Sequence, residues 1–231
     1  MKLFAVAALS LLSVSAQAQT YESKDGTKYE FQKHWFLNLE GGAQYTLGEA
    51  KFRRLVRPNV QLGVGRQFNP WLAVRLQANG WESRGGWNLA GFTKAYSINY
   101  VAPGLDVMFN LSNIIAGYNP NRIFNLSAFL GAGANIAFNN DDVNDIAAGM
   151  TAQEKGLYDL EYLWDGSKVS PFGRAGLEAS FKLTDAVSLL LECNANMLTD
   201  KYNSKKAENP DWYFNALAGL RINLGRTYVK T

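Results

Sequence analysis

Between Trp212 and Leu224 the apolar side chains fall on alternate positions, as Trp212, Phe214, Ala216, Ala218, Leu220, Ile222 and Leu224. The positions between them include Asn215, Gly219, Arg221 and Asn223. A period of two belongs to a β-strand whose two faces differ in chemistry. The same rhythm recurs along the chain and predicts eight strands: about Trp35 to Tyr45, Pro58 to Phe68, Leu72 to Asn79, Tyr96 to Leu111, Phe124 to Ile136, Val169 to Phe181, Val187 to Met197 and Trp212 to Gly225. In each, one face is mostly aliphatic, alanine or aromatic. The other collects Asn, Gln, Gly, Ser and charges of both signs.

The links between these strands carry a second pattern. Short turns follow the second strand, at Asn69-Pro70, and the sixth, at Thr184-Asp185. A medium link, Ser112 to Asn121, follows the fourth, and long links follow the first, third, fifth and seventh. Transmembrane barrels alternate in this way, with short periplasmic turns and long outside loops, and eight is their smallest common strand number. Both chain ends are then expected in the periplasm. The longest link, residues 139–167, has room for a short helix or an added hairpin between Asp141 and Lys155.

A soluble ligand-binding barrel would also alternate, but with its apolar face inward. The polar faces here point the other way. Lys is nearly absent from them, although a water-washed strand surface uses it freely. They carry both signs, with Glu40, Asp106, Glu178 and Glu192 against Arg75, Arg174 and Arg221. Aromatic residues gather towards the ends of the apolar faces, among them Trp35, Tyr45, Phe68, Trp71, Phe124 and Trp212. Rings with an apolar body favour the membrane–water boundary. A barrel of this size is only wide enough for side chains to fill. Charges inside it must pair, because a lone buried charge is costly. These seven residues are therefore expected to form an interior salt-bridge network, with Gly63, Gly65, Gly131, Gly133 and Gly176 making room for arginine and glutamate.

The chain ends change the picture further. Lys2, the apolar run from Leu3 to Val14 and the small-x-small triplet Ala16-Gln17-Ala18 read as a cleaved secretory signal over residues 1–18. Residues 19–33 read as a loose periplasmic leader, 34–225 as the barrel and 226–231 as a tail. No later apolar run approaches the ~20 residues that a spanning helix needs. Lys+Arg 23 nearly balance Asp+Glu 20, which gives no footprint for nucleic acid. The single cysteine, Cys193, has no partner for an internal disulfide and falls on an apolar face as a small hydrophobe.

Catalytic chemistry finds little support. Barrel enzymes that act on lipids need a nucleophile, a base and an orienting carboxylate held together. The only histidine, His34, stands at the start of the first strand with no such partners beside it in strand order. Asp141, Asp142 and Asp145 lack the alternating order and glycine of a calcium loop. No catalytic, cofactor or metal site is expected. The outer rim offers more. Lys51, Arg53, Arg54 and Arg57 lie in the first long link and the start of the second strand, and Lys201, Lys205 and Lys206 in the fourth long link. The first and last strands of a closed barrel are neighbours, so these cations share one side of the rim. They are candidates for phosphate groups of lipopolysaccharide; an ordinary solvated loop is the competing reading.

His34-Trp35-Phe36-Leu37-Asn38-Leu39-Glu40-Gly41-Gly42-Ala43-Gln44-Tyr45, the stretch from Val60 to Phe68, and Phe129-Leu130-Gly131-Ala132-Gly133-Ala134 together resemble the small barrel domain of the outer-membrane protein A family, in its Bacteroidetes-type versions. The final Ala218-Gly219-Leu220-Arg221-Ile222-Asn223-Leu224 is similar to the strand signal read by the barrel assembly machinery. The resemblance implies an all-β, eight-stranded antiparallel up-and-down transmembrane barrel in the outer membrane. Its implied partners are outer-membrane lipid, lipopolysaccharide and the assembly machinery. Larger members of that family continue into a peptidoglycan-binding domain, and that tethering role is not carried over. The expected protein is a monomer without enzymatic activity, supporting envelope integrity and presenting loops for surface contacts. A narrow pore, a lipopolysaccharide-binding or adhesin barrel, and a soluble lipid-binding barrel are the alternatives.

Overall fold

The computed structural model describes residues 20–46, 56–89, 92–139, 141, 145, 148, 151, 166–198 and 211–231. Eight strands close into an antiparallel barrel: β3 His34–Thr46, β4 Val56–Asn69, β5 Leu72–Leu89, β6 Phe92–Asn110, β7 Phe124–Phe138, β8 Ser167–Lys182, β9 Val187–Leu198 and β10 Asp211–Leu224. Each strand pairs with its sequence neighbours. The cylinder shuts where β10 meets β3, from Tyr213 opposite Thr46 to Leu224 opposite Trp35.

The pleat sends the apolar alternate residues outward. Leu39, Leu62, Leu76 and Leu130 are about 60% exposed, whereas Arg75, Asp106 and Glu178 are fully buried in the lumen. Leaving one such leucine in water forgoes about 1.5–3 kcal/mol of burial. A ring of them is stable only against lipid, so the inside-out distribution marks a membrane-spanning barrel rather than a soluble one.

Four local features differ from the sequence expectation. The third and fourth strands run well past Asn79 and start before Tyr96. Their pairing continues to Leu89 opposite Phe92, which makes a two-stranded ribbon of what reads as a long link. Gly80, Gly85 and Gly86 interrupt the alternation there and hide the strand. The fourth strand stops at Asn110, and the link after it opens with a short helix, α1 Leu111–Ala116, capped by the Asn110 side chain. That helix is too short for a helical period to show.

The leader is not loose. β1 Thr20–Glu22 and β2 Lys28–Phe31 form a hairpin around Asp25-Gly26, where Gly26 takes φ +83°. β11 Tyr228–Lys230, within the expected tail, pairs with β2 to complete a three-stranded sheet. Tyr29 packs edge-on against Tyr228 at 5.4 Å, and Phe31 against Tyr118 at 5.8 Å. The Tyr228 hydroxyl donates to Asp185 Oδ2 at 2.8 Å, which latches the sheet to the turn between β8 and β9. Alternation over three or four residues is too brief to register as a strand. The long links at 47–55 and 199–210, and the signal segment 1–18, lie outside the described residues. In the longest link Asp141, Asp145 and Ala148 are helical.

Candidate functional site

Arg75 on β5 stands directly opposite Asp106 on β6, and the guanidinium closes on that carboxylate with Nη2–Oδ2 at 2.8 Å. Its Nη1 then reaches across the lumen to Glu192 at 2.8 Å, Glu178 at 3.3 Å and Glu40 at 3.7 Å. Glu178 and Glu192 are themselves directly opposed across β8 and β9. Two carboxylates in that register repel, and the guanidiniums between and beside them make the arrangement tenable. Arg174 joins Glu192 at 2.8 Å and Asp106 at 3.4 Å. Arg221, half-buried towards the turn end, meets Glu178 at 2.9 Å. The structure thus brings all seven residues into one connected cluster of three guanidiniums and four carboxylates.

Neutral amides finish the cluster. Gln61 accepts from Arg174 at 3.1 Å and donates to Glu192 at 3.1 Å. Asn38 accepts from Arg221 and donates to Glu40 and Glu178. Asn194 donates to Glu192 at 2.8 Å. Two rings that the alternation does not reveal also line this layer. Phe129 lies under both Arg75 and Arg174, with each guanidinium carbon 4.9 Å from the ring centre, and Phe36 lies under Arg221 at 4.2 Å. A guanidinium over an aromatic face is attracted by its quadrupole. Both rings sit inside runs where apolar residues are contiguous, Trp35-Phe36-Leu37 and Ala128-Phe129-Leu130, so the period of two is masked there.

The glycines serve a role broader than the expected one. A Cβ at Gly63 would crowd Arg75, and one at Gly131 would meet Asp106 and Arg174. At Gly65 and Gly176, however, the nearest atoms belong to the Phe36 and Phe129 rings, and at Gly133 a Cβ would first meet the Pro103 carbonyl and the Gly104 backbone, with the Phe172 ring close behind. The inner wall is thus thinned for rings as much as for charges.

A second polar layer lies between the charged one and the long-link end of the barrel. The Asn59 Nδ2, with two hydrogens to give, lies within reach of three acceptors, Gln44 at 3.1 Å, Tyr100 at 2.7 Å and Asn215 at 3.0 Å. Tyr100 in turn donates to Gln44. Asn215 passes a bond to Asn194 at 3.0 Å, so the two layers share Asn194. Ser83 and Thr46 close the upper side around Gln44.

Three carboxylates that approach one another, Glu40, Glu178 and Glu192, have the composition of a cation site. Arg75 Nη1 lies within 4.0 Å of all three. It already supplies the positive charge that a metal would bring. His34 hydrogen-bonds through Nδ1 with the Gln32 carbonyl at 2.8 Å and lies beside Phe31. Among the described residues its bond is to that backbone group, not to a serine or a carboxylate. Asp141 and Asp145 are exposed, and Asp142 lies outside the described residues. Cys193 is exposed on the outer wall.

Of the rim cations, only Arg57 falls within the described residues. Its Nε is 2.7 Å from Glu82 on the neighbouring β5, so its charge is already compensated. Lys51, Arg53, Arg54, Lys201, Lys205 and Lys206 lie outside the described residues.

No family model matches the chain. It is 28% identical over 239 residues to outer membrane protein 40 of Porphyromonas gingivalis, an alignment that covers 97% of this chain and 57% of the relative. It is 28% identical over 210 residues to outer membrane protein 41 of the same organism, covering 83% of the chain and 48% of the relative. The chain therefore spans about half the length of these relatives. Among solved structures, the Neisserial surface protein A aligns with a TM-score of 0.48 at 9% identity, over 84% of this chain and 99% of that one. The attachment invasion locus protein of Yersinia pestis, in complex with a heparin analogue, aligns with a TM-score of 0.39 at 12% identity, over 82% and 97%.

Proposed function

We propose that this outer-membrane β-barrel, similar in sequence to outer-membrane proteins of Porphyromonas gingivalis, is a non-enzymatic structural barrel: a sealed cylinder, anchored by lipid, that supports the envelope and presents its long links outside the cell. One observation carries this reading. The middle of the lumen is filled by fully buried, mutually paired side chains, Arg75, Asp106 and Glu178 among them. A group that must move to admit an ion would have to leave several partners at once, each a charge-assisted bond. The short turns and the three-stranded sheet then face the periplasm, and the ribbon of β5 and β6 stands outside with the long links.

The experiment is genetic. A strain without this protein should admit more detergent and large antibiotic across the outer membrane, and the wild-type chain should restore the barrier. An unchanged barrier would overturn the structural role. The chain itself should fractionate with the outer membrane and shift in gel mobility on heating.

A second reading concerns the rim. β3 and β10 are hydrogen-bonded neighbours, so the links carrying Lys51, Arg53, Arg54 and Lys201, Lys205, Lys206 leave from adjacent strands. That adjacency favours a shared site for lipopolysaccharide phosphates, with Arg57 reserved for Glu82. Replacing Arg53 and Arg54 with Gln should weaken lipopolysaccharide binding, and unchanged binding would remove the idea.

A further inference from the structure

The apolar outer wall does not end at the same level all round. On the side where β10 meets β3 it stops at Trp35 and Leu224, with exposed Lys33 and Arg226 two residues beyond them. On the side of β7 and β8 it runs further. The Phe124 and Phe181 rings, opposed across those strands, lie 5.3 Å apart at the last paired row. Beyond them Ile123 is 68% exposed and Leu183 61%, on backbones joined by the Lys182 N–H to Ile123 carbonyl bond at 2.8 Å. Next to that edge, tied to β7 by the Ser112 hydroxyl accepting from the Leu126 N–H at 2.9 Å, sits α1.

The helix is amphipathic in the inverted sense. Leu111, Ile114 and Ile115 are spaced i, i+3, i+4 and share one face. Ile114 is 52% and Ile115 84% exposed. The polar residue between them in the turn faces the protein, where Asn113 donates to the Pro70 carbonyl at 2.6 Å and accepts from Arg122 at 2.7 Å. A helix surrounded by water puts these faces the other way round. Exposed apolar groups gathered in one patch mark a surface that something covers. Here the patch is continuous with the lipid-facing wall above it, and that continuity identifies the occupant.

We infer that Ile114, Ile115, Ile123 and Leu183 lie in the phospholipid leaflet at the turn end of the barrel, so that α1 is a short interfacial helix and the hydrophobic belt is deeper on the β7–β8 side. Interfacial helices bury an apolar face at the headgroup–acyl boundary in this manner. An uneven belt tilts the barrel or thins the leaflet beside it. The inference requires only that the outer wall meets lipid; it is independent of what the rim or the envelope role turns out to be.

Site-directed spin labelling of the full chain in phospholipid vesicles tests it. In a Cys193→Ala background, nitroxides are placed by Ile115→Cys, Ile123→Cys and Leu183→Cys. Leu130→Cys in mid-wall serves as the lipid reference, and Asp25→Cys in the β1–β2 turn as the water reference. Each variant is first checked for a closed barrel by its gel shift on heating. At all three sites collisions with dissolved oxygen should outweigh those with a water-soluble nickel chelate, shifted clearly from Asp25→Cys towards Leu130→Cys. Nickel access equal to that at Asp25→Cys would overturn the inference. So would shielding from both reagents with dipolar broadening at the three sites, which would mean that a second copy covers the patch.

Discussion

The lumen holds two polar layers of opposite character. In the layer around Arg75, charges of both signs are fixed against one another and against two aromatic rings. In the layer around Asn59, neutral amides and hydroxyls hydrogen-bond to one another with no net charge at stake. Both are buried and both are hydrogen-bonded. They differ in what happens when one member is lost. An amide that loses its partner leaves a polar atom unsatisfied, whereas a guanidinium that goes leaves carboxylates facing one another in a medium that screens them poorly. The charged layer therefore sets which strands may adjoin, and the amide layer fills the remaining cross-section.

That contrast predicts the largest effect at Arg75. Arg75→Met should destabilise the barrel by about 3–5 kcal/mol, the range for removing one partner from a buried ion pair, measured by urea unfolding in lipid vesicles. Adding Glu192→Gln and Asp106→Asn should recover part of that loss. A loss no greater than that of an amide substitution would erase the distinction between the layers. Asn59→Leu, which takes the amide donor away from Tyr100 and Asn215, should cost about 1–3 kcal/mol in the same assay. Gly65→Ala belongs with it, because the new methyl meets the Phe36 ring; overpacking of this kind costs about 1–3 kcal/mol. Arg57→Gln, at the partly exposed pair with Glu82, should change stability by no more than about 1 kcal/mol and should lose even that at high salt.

The smallest effect belongs to the latch between the three-stranded sheet and the barrel. Hydrogen bonding to Lys182, then to Tyr228, holds the Asp185 carboxyl below its ordinary value. Its contribution is present above the usual carboxylate range and is lost as pH falls through the depressed folded value. The Tyr228 hydroxyl is pushed up to about 12 by burial and then by its bond to Asp185. That contribution is whole below the ordinary tyrosine value of about 10 and lost as pH rises towards about 12. Protection of the Lys28 and Thr231 amides, which bond to each other between β2 and the chain end, measured as exchange relative to an unstructured peptide at the same pH, should thus be highest between the two limits. Asp185→Asn should remove the acid limb; an unaltered acid limb would place the latch elsewhere.

The sequence carried the barrel clearly because the alternation of Leu39, Leu62, Leu76 and Leu130 with polar neighbours extends over long strands, and a period of two needs length to be seen. It carried the charged residues because so few charges stand on the polar faces. It did not carry Phe36 and Phe129, whose apolar neighbours on either side erase the alternation at the points where the guanidiniums need a ring. Nor did it carry the sheet of β1, β2 and β11, where three or four residues per strand gain their meaning only from pairing across the whole chain. The helix α1 was hidden for the same reason: Leu111, Ile114 and Ile115 make one turn, and one turn has no period.

The central claim is that paired charges seal a barrel whose apolar wall meets lipid, and single-channel recording in a planar bilayer addresses it most directly. Wild-type protein, shown by its gel shift to be closed and inserted, should give no unitary current steps at voltages the bilayer withstands. Regular steps of constant size from that same protein would show an open water path past Arg75 and would contradict the account.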